Sequence, residues 1–370
     1  MANALLLESA QFKGSDTPIK SSQLSSASYV LAIANLPGHY AASASAPANT
    51  IDIFDKSTLQ GVETLSGHEI ATTSLHAVEN ITGISSTVLV SSGKDGRVKV
   101  WDPRSNAPGI TMTNSGNSRG LLSCDVSPDG LTVAAGTELQ GDDALILYWD
   151  PRQPAAPLRS HGSTHSDDIT TVSFAKADSG MPHNTLLSAS SDGLICTSNA
   201  DEIDEDEAVL HVGNWGCSVS QAGWNDRSPG AKIWAASDME TFSTWSTELD
   251  LCQSLDIRNP SLHNHRTWVT DYLITCSNNS SNTPNNVGVF VGSNEGDIAL
   301  LSNSELSTAN APWCLHNIWS NGHVGVVRSL LWDEENKVLV TGGEDSKINV
   351  WPTLSPEEHA GDDSMEVDQP

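Results

Sequence analysis

The chain has 370 residues and is strongly acidic, with 18 Lys and Arg residues against 46 Asp and Glu and a net charge of -28. Direct binding to nucleic acid or to an anionic membrane requires a basic surface, so this charge argues against both partners and favours a basic protein or peptide. No apolar run approaches the 18 or more residues of a membrane span, and the N-terminus lacks the basic segment of a secretory signal, so a cytoplasmic or nuclear location is expected.

The sequence lacks several motifs that mark common enzyme and metal sites. It contains no P-loop, no G-x-G-x-x-G and no H-E-x-x-H. Its six cysteines, at positions 124, 196, 217, 252, 276 and 314, form no C-x-x-C pair and do not have the spacing of metal ligands. We therefore expect a non-enzymatic protein with no catalytic residues, no metal and no cofactor.

The first predicted element is residues 5–19, which precede a series of seven repeated units. The last unit ends at Trp351 without residues for its outer strand. We predict that residues 5–19 supply that strand beside residues 347–351. This pairing would close a ring and remove the exposed edges of an open sheet. The fold would then be one domain over residues 1–354.

The seven units are about 46 residues long, which is typical of the four-strand blades of a β-propeller. Short β-branched runs alternate with clusters of Gly, Asn, Asp, Ser and Pro, the pattern of antiparallel strands and turns. The sequence thus predicts an all-β fold, a seven-bladed propeller closed by an N-terminal strand. One position on the third strand of each blade is often Trp, and it is occupied in chain order by Phe54, Trp101, Trp149, Ser198, Trp245, Leu301 and Trp351.

Two of the units share a set of four polar residues at fixed spacing. In both, Asp lies four residues after a hydroxyl residue and six before Trp, and a Gly-His pair precedes the first strand. These side chains can form a hydrogen-bonded chain that fixes the turns of a blade, so we interpret them as structural tetrads and not as a catalytic relay. The tetrads are His68, Ser91, Asp95 and Trp101 in the second unit, and His323, Thr341, Asp345 and Trp351 in the seventh.

The Gly-His start and the Trp-Asp finish resemble the WD-repeat superfamily over nearly the whole chain. The C-terminal third resembles the group called WD repeat-containing protein 89, in which a G-H, V-R-S, W and T-G-G-E-D block closes the propeller. This resemblance implies a seven-bladed propeller and carries no settled biochemical activity. The matching residues are Gly322, His323, Val327, Arg328, Ser329, Trp332, Thr341, Gly342, Gly343, Glu344, Asp345 and Trp351.

Two tryptophans are candidate anchors for a partner. Trp215 and Trp268 each stand just before an inner strand, where a propeller opens toward its central channel. Aromatic rings beside carboxylates can hold the stem and the charge of Arg or Lys, so we predict a binding site for a basic protein or peptide. An acidic run would attract the partner, and its charged residues are Asp201, Glu202, Asp204, Glu205, Asp206 and Glu207.

The alternative function is that of a substrate receptor for a cullin-RING ubiquitin ligase. The sequence W-D-P-R occurs twice, and W-D-x-R endings occur in WD proteins that bind a ubiquitin-ligase adaptor. An Arg fork can pair with a partner carboxylate. The residues concerned are Asp102, Arg104, Asp150 and Arg152.

The chain ends in an acidic tail, residues 355–370. This segment contains six acids and no Lys or Arg. With so few apolar residues it cannot offset the entropy lost on ordering, so we predict that it is disordered.

Overall fold

The structure is a computed structural model. It describes residues 5–353 apart from 83, 85, 103–106, 115–118, 178, 226–231, 264–266, 279–286, 304 and 307–310. The predicted tail and Arg104 lie outside the described residues.

Strands make up almost all of the regular structure. The N-terminal segment forms β1 (Leu6–Ser15) and β2 (Lys20–Gln23). The first three blades are β3 (Val30–Leu36), β4 (His39–Ala44), β5 (Ile51–Asp55) and β6 (Gly61–Leu65); β7 (Thr72–Val78), β8 (Val88–Gly93), β9 (Arg97–Trp101) and β10 (Pro108–Thr113); and β11 (Leu121–Val126), β12 (Val133–Thr137), β13 (Ile146–Trp149) and β14 (Arg159–His161).

The remaining blades continue in the same order. Blade four is β15 (Thr171–Phe174), β16 (Thr185–Ala189), β17 (Leu194–Asn199) and β18 (Val209–Asn214), with the one-turn helix α1 (Glu205–Ala208) before β18. Blade five is β19 (Val219–Trp224), β20 (Ile233–Ser237), β21 (Thr241–Trp245) and β22 (Leu251–Asp256), followed by the hairpin β23 (Leu262–His263) and β24 (Thr267–Trp268). Blades six and seven are β25 (Tyr272–Ser277), β26 (Gly288–Gly292), β27 (Ile298–Asn303) and β28 (Trp313–Trp319); and β29 (Val327–Asp333), β30 (Val338–Gly343) and β31 (Lys347–Pro352).

The sheets confirm the predicted all-β, seven-bladed propeller. Each blade is an antiparallel sheet in which strands pair in sequence order. The first strands, β3, β7, β11, β15, β19, β25 and β29, line a common central channel and are therefore the inner strands. We call the end of the channel where the chain enters these strands the upper face. The turns between second and third strands lie at that same end, and the loops that leave the inner strands form the lower face.

The ring is closed by an N-terminal strand, but not by the predicted one. The four-residue strand β2 pairs antiparallel with β31, with Lys20 opposite Val350 and Gln23 opposite Lys347. Strand β1 instead pairs parallel with β28 and becomes a fifth strand at the edge of blade six. The prediction that residues 5–19 pair beside residues 347–351 is therefore wrong, apart from the Ile19 amide, which donates to the Val350 carbonyl at 2.7 Å.

Apolar side chains fill the spaces between neighbouring blades. The third-strand tryptophans face the preceding blade: Trp101 packs with residues of blade one, Trp149 with blade two and Trp351 with blade six. All three rings are fully buried. Gly322 illustrates how tight this packing is, because an added Cβ there would lie 2.2 Å from the Trp351 ring. The repeated tryptophans thus join the blades into a ring.

Candidate functional site

The two predicted tetrads form continuous hydrogen-bonded chains. In blade two, His68 Nδ1 lies 2.8 Å from Asp95 Oδ1, and His68 Nε2 lies 2.8 Å from Ser91 Oγ. The Trp101 indole N–H donates to the same hydroxyl at 2.9 Å. Asp95 also accepts the backbone N–H of Glu69, which fixes the loop that enters the blade. The arrangement joins an upper loop, a turn and two strands.

The tetrad of blade seven has the same geometry. His323 Nδ1 is 3.0 Å from Asp345 Oδ1, and His323 Nε2 is 2.8 Å from Thr341 Oγ1, which accepts the Trp351 indole N–H at 2.9 Å. Asn349 adds a donor, since its amide contacts the Gly322 carbonyl at 2.8 Å. The His, hydroxyl and Trp members of both chains are buried. Such positions suit a structural role, because a substrate cannot reach them.

Blade four holds an incomplete version of this chain. His165 Nε2 lies 2.8 Å from Ser188 Oγ, but His165 Nδ1 is 3.4 Å from the Asp192 carboxylate. Ser198 occupies the Trp position and is buried, but a hydroxyl group cannot supply the indole N–H. This blade therefore keeps the His-hydroxyl contact and lacks the indole donor.

The tetrad aspartates link the stability of the fold to pH. Burial alone would raise the pKa of Asp95 and Asp345. The hydrogen bond and the charge of the neighbouring histidine outweigh that effect, so the pKa of each carboxyl is held below its ordinary value. A carboxyl with a lowered pKa in the folded state stabilises the fold above its unfolded-state pKa of about 3.9, and this contribution is lost as the pH falls through the folded-state pKa.

We expect the Asp345→Asn variant to lose less stability on acidification than the parent protein. The measurement is the free energy of unfolding in urea at pH 6 and at about pH 3, which lies below the unfolded-state pKa of the carboxyl. The Asp142→Asn variant is a control, because Asp142 lies exposed in a loop of blade three. If Asp345→Asn and the parent lost equal stability between these two pH values, the proposed contribution of Asp345 would be absent.

Trp268 is not an exposed anchor, so this part of the predicted binding site is wrong. The side chain is only 4% exposed and belongs to the core between blades five and six. Its indole N–H donates to Thr270 Oγ1 at 3.0 Å, and its backbone pairs with Leu262 across the β23–β24 hairpin. The hairpin therefore places the ring inside the fold.

Trp215 lies on the upper face, in the loop between β18 and β19. Its ring is half-buried against the core between blades four and five, and its indole N–H donates to Ser254 Oγ at 3.1 Å. Its backbone N–H donates to the Gly193 carbonyl. The tryptophan is thus held in place with part of its ring accessible.

The predicted acidic run does not surround Trp215. The run connects β17 to β18 and Trp215 follows β18, so the two lie at opposite ends of a six-residue strand, roughly 20 Å long. Glu205 is bound to the protein itself: its carboxylate accepts the backbone N–H groups of Gly162, Ser163 and Thr164 at 2.8–2.9 Å. Asp201 accepts the Asn184 amide at 2.9 Å. The run therefore lies at the outer edge between blades three and four. The prediction that the run and Trp215 form a single binding site is wrong.

The described W-D-P-R residues lie between the third and fourth strands of their blades. Arg152 Nε and Nη2 both contact the Asp150 carboxylate, at 2.7–3.0 Å, although the Arg152 side chain is 60% exposed. This ion pair lowers the pKa of Asp150, chiefly through the Arg152 hydrogen bonds. Asp102 stands at the matching position after β9. The Arg152 fork is thus already paired within the chain.

Sequence reasoning missed two exposed apolar residues on the upper face, which also carries Trp215. Met239 lies in the turn between β20 and β21 and is 70% exposed, and Val269 follows β24 and is 48% exposed. Met239 stands on the upper face of blade five, and Val269 stands on the same face in the loop that enters blade six. A single Met in a turn and a single Val after a strand carry no signal of exposure in the sequence.

Sequence reasoning also missed a G-x-S-x-G match at residues 116–120. A nucleophile elbow needs a sharp turn from a strand into a helix. Here the match leads into β11, an inner strand of an antiparallel blade. Residues 115–118 lie outside the described part of the chain, and the strand that follows does not fit an elbow.

The described residues offer no other obvious chemical site. Within them, no group of three or more His, Cys, Asp or Glu side chains could hold a metal ion. All six cysteines are free thiols. None of the helices described is both long and apolar enough to cross a membrane.

Comparison with known proteins places these features in a family. The WD domain, G-beta repeat family matches residues 60–102 and 313–352, which contain the two complete tetrads. The chain is 28% identical to the WD repeat-containing protein 89 homolog of Dictyostelium discoideum, over 87% of this chain and 82% of the relative. It is 30% identical to an uncharacterized WD repeat-containing protein of Saccharomyces cerevisiae, over 81% of this chain and 73% of the relative. It is 27% identical to the WD repeat-containing protein GTS1 of Arabidopsis thaliana, over 82% of this chain and 76% of the relative. The chain therefore belongs to the WD-repeat protein family.

Proposed function

We propose that this protein is a non-enzymatic scaffold that binds a basic protein or peptide on the upper face of blade five. WD-repeat propellers generally serve as platforms for other proteins. The observation that carries the proposal is the combination of Trp215, Met239 and Val269 with surrounding carboxylates. We call these three residues the blade-five surface.

Hydrogen bonds hold the loops of the blade-five surface together. Ser218 Oγ donates to Asp238 at 2.6 Å, which ties the Trp215 loop to the Met239 turn. Glu240 accepts the Leu273 backbone N–H at 2.7 Å and ties that turn to blade six. Burial raises the pKa of Glu240. A surface fixed in this way loses little conformational entropy when a partner binds.

Carboxylates outnumber cations around the blade-five surface. Arg258 is the cation that the structure describes in the upper loops of blade five, and it is paired with Asp256 at 2.7 Å. Arg266 lies outside the described residues. The acids in the neighbouring upper loops of blades four to six are Asp167, Asp168, Asp192, Asp238, Glu240, Asp271, Glu295 and Asp297.

This chemistry fits a partner that carries Lys or Arg next to apolar groups. The aliphatic stem of such a side chain can pack on Trp215 or Met239, while its cation remains beside the carboxylates. The acidic field would also increase the association rate, because oppositely charged surfaces steer diffusional encounter. A basic partner is thus favoured over a neutral or acidic one.

The test is capture of partners from lysate by the full chain, followed by affinity measurements with the captured protein. We expect Trp215→Ala to weaken binding by about 2 kcal/mol, as for an interface anchor, with little change in melting temperature. Raising the salt concentration from about 0.05 to 0.5 M should slow association severalfold, because the Debye length shortens. An acidic partner, or binding that resists both changes, would contradict the proposal.

Two valines provide a matched control for the binding site. Val269 and Val62 are similarly exposed, at 48% and 55%, but Val62 lies on the outer strand of blade one. We expect Val269→Ala to weaken binding and Val62→Ala to leave it unchanged. Trp268→Ala should lower the melting temperature, since that ring is in the core.

The ubiquitin-ligase receptor is the alternative outcome of the same experiment. The supporting observation is the Arg152 side chain, which is 60% exposed and could exchange its contact with Asp150 for a partner carboxylate. This function predicts that a ligase adaptor is captured, that Arg152→Glu combined with Arg104→Glu abolishes its binding, and that Trp215→Ala does not affect it.

A further inference from the structure

A pocket lies on the lower face, where the inner strands of blades three to six end. Its volume is about 410 Å³. Asp125 comes from the end of β11, Phe174 from the end of β15 and Trp224 from the end of β19, and Asn278 directly follows β25. We call this cavity the lower pocket. It lies at the opposite end of the inner strands from the blade-five surface.

The lower pocket contains a carboxylate in a poorly solvated position. Asp125 Oδ2 accepts the Phe174 backbone N–H at 2.7 Å, and Oδ1 accepts the Val126 backbone N–H at 2.8 Å. Burial raises the pKa of Asp125 above its ordinary value. The charge of His76 offsets part of this rise in the pKa of Asp125. Desolvation disfavours the charged carboxylate, and an incoming cation would relieve that penalty.

A second acceptor in the pocket wall lacks a donor. The Asn278 side-chain amide donates from Nδ2 to the Trp224 carbonyl at 2.6 Å. Its Oδ1 atom is buried and has no hydrogen-bond partner among the described residues. Buried amide oxygens are normally satisfied, so an orphaned acceptor here indicates a missing donor.

Aromatic rings supply the apolar part of the wall. Trp224 and Phe174 are only 8% and 5% exposed, and both rings border the pocket. The Trp224 indole N–H donates to the Ser173 carbonyl at 3.0 Å, which fixes the orientation of that ring. A fixed aromatic wall beside a carboxylate suits a planar cation.

We propose that the lower pocket binds the guanidinium group of an arginine side chain from a partner polypeptide. Guanidinium has five N–H donors in one plane, so it can pair with Asp125, donate to Asn278 Oδ1 and stack on an aromatic ring. An ammonium group has a compact, strongly hydrated charge and lacks the planar face. The net charge of -28 favours a basic partner at this face as well. This site is independent of the proposed function on the upper face.

The experiment titrates Nα-acetyl-arginine amide into the full chain with ¹⁵N-labelled tryptophan. Binding is followed through the NMR signal of the Trp224 indole N–H. This signal is assigned because it is missing from the spectrum of the Trp224→Phe variant. We expect a saturable shift in the millimolar range, as for one side chain. The neutral isostere Nα-acetyl-citrulline amide should cause no such shift, and Nα-acetyl-lysine amide should bind more weakly.

Variants separate a binding role from a folding role. We expect Asp125→Asn to weaken binding at least tenfold, while Asp129→Asn, in the adjoining lower-face loop, leaves it unchanged. If Asp125→Asn fails to fold, Lys176→Gln provides the second test. Lys176 borders the pocket, so removing its charge should tighten arginine binding severalfold.

Several results would overturn the proposal. They are equal shifts from arginine and citrulline amides, lysine amide binding as tightly as arginine amide, the absence of any arginine-dependent shift, or a folded Asp125→Asn variant with unchanged affinity. Because Trp215 lies at the other end of the propeller, Trp215→Ala should not alter this titration. Failure of the upper-face proposal and failure of the lower pocket are therefore distinguishable.

Discussion

A chain that lacks residues 1–24 is expected to melt well below one that lacks only residues 1–17. The shorter truncation removes β1 and exposes the edge of blade six, whereas the longer one also removes β2, which closes the ring against β31. We expect the loss of β2 to cost a few kcal/mol, which for a domain of this size lowers the melting temperature by about 3–6 °C.

The contacts of residues 19–25 explain why so short a segment should matter. Lys20 Nζ donates to the carbonyls of Lys56 and Ser57 in blade one, at 3.1 and 2.5 Å. The Leu24 backbone N–H donates to the Ser346 carbonyl of blade seven at 3.0 Å, whereas the contact of Ser25 with Asp52 remains in both truncated chains. The segment therefore joins blade seven to blade one, in addition to pairing with β31.

The melting temperatures of both truncated chains, followed by circular dichroism, provide the measurement. The chain that lacks residues 1–17 is the control, because it keeps every contact of residues 19–25. Equal melting temperatures for the two truncations would mean that the propeller does not depend on β2 for closure.

The sequence predicted that an N-terminal strand closes the ring but assigned the wrong residues. Strand β1 has the more strand-like sequence, with Leu6 buried and Phe12 packed against the core of blade six. Strand β2 reads K-S-S-Q and has no apolar residue to indicate a buried face. Pairing of β2 is instead set by backbone hydrogen bonds and by the ends of neighbouring blades. Those contacts are long-range and have no local signature in the sequence.

The repeated blades were predictable because their determinants are local. The spacing from Ser91 to Asp95 to Trp101 is a property of one hairpin, and the same spacing recurs in blade seven. The exposure of the individual tryptophan side chains was less predictable. Trp215 and Trp268 occupy similar places before an inner strand, yet the β23–β24 hairpin buries one of them. The pattern of residues could not distinguish an accessible ring from a buried one.

The lower pocket shows the same limit of sequence reasoning. Asp125, Trp224 and Asn278 come from three different blades and are brought together only when the ring forms. Each is unremarkable in its own repeat. A site that depends on several blades can be recognised only in the folded ring.

The second large effect is expected for His323→Ala, which should reduce the free energy of unfolding by about 2–3 kcal/mol. Loss of the imidazole leaves the Asp345 carboxylate without its shortest side-chain donor, and it removes a contact of the buried Thr341 hydroxyl. Leaving buried polar groups unpaired costs about 1–3 kcal/mol, more when one of them is charged. Urea unfolding of the parent and the variant gives the value.

Blade four supplies the matched control, because His165 occupies the same position as His323. Its contact to Asp192 is longer, at 3.4 Å, and Ser198 contributes no indole donor. Removal of His165 therefore breaks fewer strong hydrogen bonds. Because coupled hydrogen bonds are worth more than isolated ones, we expect His165→Ala to reduce the free energy of unfolding by about half as much as His323→Ala, or less. Equal costs for the two variants would show that the indole and the short carboxylate contact add nothing. Neither change should alter partner binding, and a stable His323→Ala protein that had lost its partner would instead assign that histidine to a binding site.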